Sequence, residues 1–102
     1  SMVTLVKWDK PQPPDEQEAE ARLHAEGYEV FRWHDVPGSG YPKHKHEYDE
    51  CLWILRGAIT FTVDERDYAL SPGDRLYLPR RTIHTAQVPM ERAVVYLVGQ
   101  KR

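Results

Sequence analysis

Three histidines and a glutamate give this chain its chemical character. His44, His46 and Glu50 fall within the single run HKHEYDE, and His84 stands further along, after Pro79 and the pair Arg80 and Arg81. In an extended strand, residues i and i+2 project to the same face, so a turn-free run sets His44 beside His46 with Glu50 on the same parity. Three neutral imidazoles and one carboxylate are a donor set for Fe, Mn, Co, Ni, Cu or Zn, and a six-coordinate ion held by four such ligands keeps two positions for water or substrate. The predicted cofactor is therefore one divalent transition metal per chain (Fe, Mn, Ni, Cu or Zn), in an open site. Glu50 offsets part of the metal's charge and, where it dissociates, becomes a base.

Those side chains need rigid elements to carry them. From Tyr28 onward the chain reads as short apolar runs separated by turn residues: YEVFRWH, CLWILR closed by Gly57, AITFTV, YALS closed by Pro72 and Gly73, then DRLYLP, HTAQV and AVVYLVG. Regularly spaced strands of this kind argue for an all-β sandwich or barrel built from antiparallel hairpins. Before them lie the proline-broken stretch WDKPQPPD and one helix, with Asp15 as N-cap, acidic residues in its first turn and Gly27 at its end. The helix has a thin apolar side, mainly Ala19 and Leu23, so it is expected to lie outside the sheet. This divides a single domain into an N-terminal arm or linker over 1–14, a covering helix over 15–27 and a barrel over 28–100. A possible short strand falls within the arm, over Met2 to Trp8. Ser1, which precedes Met2 in the manner of a residue left by tag removal, is set aside.

Strand parity assigns faces. Glu50, Leu52 and Ile54 share one side of their strand, while Cys51, Trp53 and Leu55 share the other, and both sides are apolar beyond Glu50. The outer side needs a cover, either the N-terminal helix or a second subunit, and a homodimer is expected. Cys51 on that side reads as a packed residue rather than a nucleophile. Tyr41 and Tyr48 are candidate substrate contacts at the barrel mouth, together with Trp33 and Tyr77, and Arg81 is a candidate for holding an anionic group. His34 and His24 are left outside the site.

The two ligand-bearing stretches resemble the paired motifs of the cupin family. The first is similar at Gly38, the His44-x-His46 pair, Glu50 and Gly57, and the second at Gly73, Pro79 and His84. Two positions depart from the second motif: Arg81 stands where the family usually has glycine, and Val88 where it often has asparagine. The resemblance is to small single-domain cupins and implies an antiparallel jelly-roll, or double-stranded β-helix, with a metal on His44, His46, Glu50 and His84. It does not choose a reaction, because the family holds dioxygenases, isomerases, sugar-binding regulators and storage proteins.

Composition narrows the remainder. The 102 residues, 40% of them hydrophobic, make one core. A net charge of -2 from 14 basic and 16 acidic residues spread along the chain disfavours nucleic acid or a membrane as partner. A lone cysteine and the lack of a long apolar run point to the cytoplasm. The function expected is that of a mononuclear metalloenzyme on a small organic substrate, by dioxygenase-like oxidation or Lewis-acid isomerisation, with Glu50 as candidate base. The alternative is a non-catalytic binding or sensor module for a sugar or organic acid.

Overall fold

The computed structural model describes residues 2–102, so the reading of Ser1 lies outside the described residues. Among these residues there are nine strands and one helix: β1 (Thr4–Val6), α1 (Glu16–Ala25), β2 (Glu29–Asp35), β3 (Gly40–His44), β4 (Asp49–Arg56), β5 (Ile59–Val63), β6 (Arg66–Leu70), β7 (Arg75–Leu78), β8 (His84–Gln87) and β9 (Val94–Lys101). They form a five-stranded sheet in the order β1-β7-β4-β9-β2 and a four-stranded sheet in the order β3-β8-β5-β6. The pairings are antiparallel, and the two sheets make the jelly-roll expected.

The core lies between the sheets. Leu52 and Ile54 of β4, Leu76 and Leu78 of β7, and Val94 and Tyr96 of β9 face Ile59, Phe61, Leu70 and Ala86 of the other sheet. The opposite parity of β4 points outward, as predicted: Cys51, Trp53 and Leu55 join Leu97 beneath Ala19 and Leu23 of α1. The helix starts where its Asp15 carboxylate accepts the amide of Glu18, and its two buried residues, four positions apart, are the narrow apolar stripe that faces the sheet. That face is thus covered from within the chain. Burial pushes the Cys51 thiol up to about 12, which suits a packed side chain and not a thiolate nucleophile.

The arm is tied down as well. β1 pairs with β7, and the buried Asp74 carboxylate accepts the Trp8 amide, the Ser71 amide and the Lys7 ammonium, each at 2.9 Å. Gly73, with φ of 94°, lies so close under the Trp8 ring that a Cβ there would collide with it. The β5–β6 hairpin turns on Asp64 and Glu65, both with positive φ, the backbone that a two-residue hairpin with the strands' own twist requires.

One expectation is corrected. The run from His44 to Glu50 is not a single strand: β3 ends at His44, residues 45–48 cross from one sheet to the other, and β4 begins at Asp49. Among the described residues, no helix is long and apolar enough to cross a membrane.

Candidate metal centre

The crossing brings the ligands together better than one strand would. His44, at the last position of β3, pairs directly with His84, at the first position of β8, and their rings lie 4.2 Å apart between centroids. The connection then folds His46 over them, 4.9 Å from His44 and 5.5 Å from His84. One ring nitrogen from each of the three lies within 4.8 Å of the others, close enough to share an ion.

The ring orientations have a physical cause. His44 Nδ1 lies 2.7 Å from the Pro42 carbonyl oxygen and His84 Nδ1 lies 2.8 Å from that of Thr82. A carbonyl only accepts, so Nδ1 carries the hydrogen in both rings and Nε2 keeps its lone pair, as a metal-ligating imidazole needs. His46 is steadied differently: it stacks on Tyr48 at 4.8 Å with 14° between planes, and the Tyr48 hydroxyl accepts from Gln100 Nε2 at 3.2 Å. Burial lowers the pKa values of His46 and His84, and the neighbouring imidazoles add to the effect. Burial and the neighbouring imidazoles thus favour the neutral, ligating form, outweighing the Thr82 carbonyl, which pulls His84 the other way.

Glu50 stands next to the cluster as the first inward residue of β4. It is 7% exposed, and its Oε1 lies 3.8 Å from the Nε2 atoms of both His46 and His84. That oxygen finds no hydrogen-bond partner among the described residues, and burial pushes the carboxyl up to about 7. When ionised, this buried acceptor faces the His84 lone pair with no donor between them, which is costly in the absence of a cation. A divalent transition metal is the group whose chemistry fits that donor set.

The His46 crossing is pinned to the loop before His84. The Arg81 amide donates to the His46 carbonyl at 2.7 Å, the Arg80 amide to Asp49 at 2.9 Å, and the Arg81 guanidinium to Glu47 at 2.9 Å. Arg81 has φ of 64°, so this arginine adopts the left-handed backbone that a glycine would take easily. Its side chain is 68% exposed and engaged with Glu47 outside the barrel, so it is not among the residues lining the cavity.

That cavity, of about 380 Å³, opens beside the four ligand candidates and is lined by both Tyr41 and Tyr48. Trp33 lines it too, whereas Tyr77 faces the outer side, where its hydroxyl donates to Glu26 at 3.0 Å. Sequence reasoning missed Asp35, the last residue of β2. Its buried carboxylate accepts the Tyr41 hydroxyl at 2.6 Å and the Tyr96 hydroxyl at 2.7 Å. The parity of Phe31, Trp33 and Asp35 along one strand was the available signal.

Comparison with known proteins agrees with this geometry. The sequence matches the family described as a cupin domain over residues 31–99. A cupin protein from Bacteroides fragilis is 27% identical in sequence and superposes with a TM-score of 0.66 over 74% of this chain and 66% of that one. The DMSP lyase DddQ from Ruegeria pomeroyi is 26% identical, with a TM-score of 0.63 over 72% of this chain and 37% of that one. KdgF from a Halomonas species is 24% identical, with a TM-score of 0.59 over 72% of this chain and 70% of that one. No curated protein matches the sequence.

Proposed function

The chain belongs to the cupin domain family, and from that premise we propose that it is a mononuclear metalloenzyme acting on a small organic substrate. His44, His46, Glu50 and His84 are the proposed ligands of one divalent transition metal. The observation that carries this reading is the orphaned Oε1 of Glu50, buried between two imidazole nitrogens at 3.8 Å. A bound metal would supply Lewis acidity toward a chelated oxygen or, with a redox-active ion, a route to oxidation.

The chain's own residues do the rest. The carbonyls of Pro42 and Thr82 fix two imidazoles in one tautomer and one direction. Glu50 offsets part of the metal's charge and, where it dissociates from the ion, is placed to take a proton from a carbon acid at the cavity floor, since burial makes the freed carboxylate a stronger base than an exposed one. Leu52, Phe61 and Ala86 form an apolar floor that limits water around that carboxylate. The reaction classes this supports are dioxygenase-like oxidation and Lewis-acid isomerisation. The likeness to a DMSP lyase adds a lyase reaction to them.

The test is metal content by inductively coupled plasma mass spectrometry, wild type against His84→Ala, with circular dichroism to check that the barrel persists. The expected result is about one equivalent in the wild type and almost none in the folded variant. A variant that retains the full equivalent would overturn the assignment.

A further inference from the structure

The cavity wall away from the ligands carries few polar atoms, and most of those atoms are engaged within the protein. Trp33 Nε1 donates to the Tyr41 hydroxyl at 3.1 Å, while the Tyr41 and Tyr96 hydroxyls donate to Asp35. Gln100 Nε2 donates to the Tyr48 hydroxyl at 3.2 Å, so the Gln100 side-chain carbonyl oxygen and the Tyr48 hydroxyl hydrogen are the polar groups that this wall still offers. A polyol entering here would find partners for only one or two of its hydroxyls and would have to break the other bonds or leave the rest unpaired. Among the described residues lining the cavity there is no lysine or arginine, so a phosphorylated ligand finds no counter-charge on this wall.

Two aromatic rings stand out against that background. Phe31 and Trp33 pair in register with Val98 and Tyr96, so their side chains lie on the inner face of the five-stranded sheet. They nevertheless remain 41% and 50% exposed, because β2 is the outermost strand of its sheet. They form an apolar shelf continuous with the cavity that holds the histidine cluster.

Resting on the metal reading above, we propose that the ligand of this site is a compound with a bidentate oxygen head, such as an α-keto acid or an enolised dicarbonyl, joined to an apolar, ring-sized body that covers Phe31 and Trp33. Sugars, other polyols and phosphate esters, which need many polar partners or a counter-charge, suit this wall less well. The continuity of shelf and histidine cluster within one cavity assigns the shelf to the ligand's body rather than to a partner chain.

The test compares benzohydroxamate with acetohydroxamate, which share one chelating head and differ only in the body, on metal-loaded protein. Calorimetry and tryptophan fluorescence give both affinities. The phenyl compound should bind more tightly, on the order of tenfold, from the extra apolar and aromatic contact. Trp33→Ala and Phe31→Ala should each reduce that ratio, and both residues are exposed enough on an edge strand for the barrel to stay folded. A wild-type ratio near one, or glucuronate binding more tightly than either hydroxamate, would overturn the proposal. So would variants that leave the ratio unchanged while dissociating a dimer, which would assign the shelf to a subunit interface. If the protein holds no metal, the metal reading fails separately, and benzoate against acetate on the metal-free protein still reads the shelf: equal affinities there overturn it too.

Discussion

The two ends of this barrel are built from the same strands and solve opposite problems. At the closed end, Ile54 of β4 and Leu76 of β7 are wholly buried among apolar neighbours, and Val88, just past β8, is buried with them. At the open end, the same β4 presents Glu50 and β8 presents His84, both buried and ionisable. The difference shows where the stability resides. The closed end gains from burying apolar surface, and the open end, in the absence of a cation, holds acceptors against one another at a cost the closed end offsets.

The sharpest way to break the comparison is to damage the closed end. Ile54→Ala should cost about 2–5 kcal/mol, read as a drop in denaturation midpoint, and the proposed metal should be lost from the histidine cluster only as the whole domain unfolds. A loss well below 1 kcal/mol would mean the apolar end does not carry the fold.

The open end should respond in the opposite sense. The Glu50 carboxyl is raised to about 7 from an ordinary 4.5, so the unfolded chain gives up this proton first as pH rises. The stability it contributes is fully present below pH 4.5 and is lost as pH rises through 7. Lowered imidazole pKa values of His46 and His84 work in the other direction, with their cost confined to acid, so the two effects separate at pH 8. Metal-free Glu50→Gln should therefore be more stable than metal-free wild type at pH 8, by on the order of 3 kcal/mol, with the gain vanishing near pH 4. The same variant should bind metal more weakly. Urea denaturation at both pH values, with and without chelator, checks the set.

A smaller effect belongs to the arm. Burial alone would raise the Asp74 carboxyl, but the amides of Ser71 and Trp8 and the Lys7 ammonium outweigh it and hold the group below the ordinary range. A depressed carboxylate stabilises above its unfolded pKa, so this contribution is lost as pH falls below about 4. Asp74→Asn should cost roughly 1–3 kcal/mol at neutral pH, and less as the pH approaches 3. Faster amide exchange in residues 4–8 would locate the loss in the arm.

The smallest change is Arg81→Gly. Relief of a left-handed arginine is worth about 1 kcal/mol, and the exposed pair with Glu47 at most a similar amount, so stability should change by less than about 1 kcal/mol. Metal content should be unaffected, because the backbone bond to the His46 carbonyl survives the substitution. A variant that folds but loses metal would show that the guanidinium itself holds the crossing in place.

Much of this was legible in the sequence because the signals were local. Asp15 capped the helix, strand parity counted from Glu50 sorted Leu52 from Trp53, and the types of His44, His46, Glu50 and His84 pointed to a metal. What escaped depended on contacts between distant segments. Parity is the same whether or not the chain changes sheets, so the break between His44 and Asp49 left no mark in the pattern. The direction of Arg81 depended on where Glu47 came to rest, and the burial of Asp35 on Tyr96, which is distant in sequence. The left-handed backbone at Arg81 runs against the residue's own preference and is held by the bond to His46.

The place of β9 sets an order on how the protein can form. It lies between β4 and β2, pairing with both, so those two strands have no common neighbour until residues 94–101 have left the ribosome. Until then β2 and the inner edge of β4 are unpaired strands with apolar faces, the kind of nascent segment that chaperones guard. His44 and His84 meet on the other sheet, so the histidine cluster can start to assemble before the wall opposite it exists.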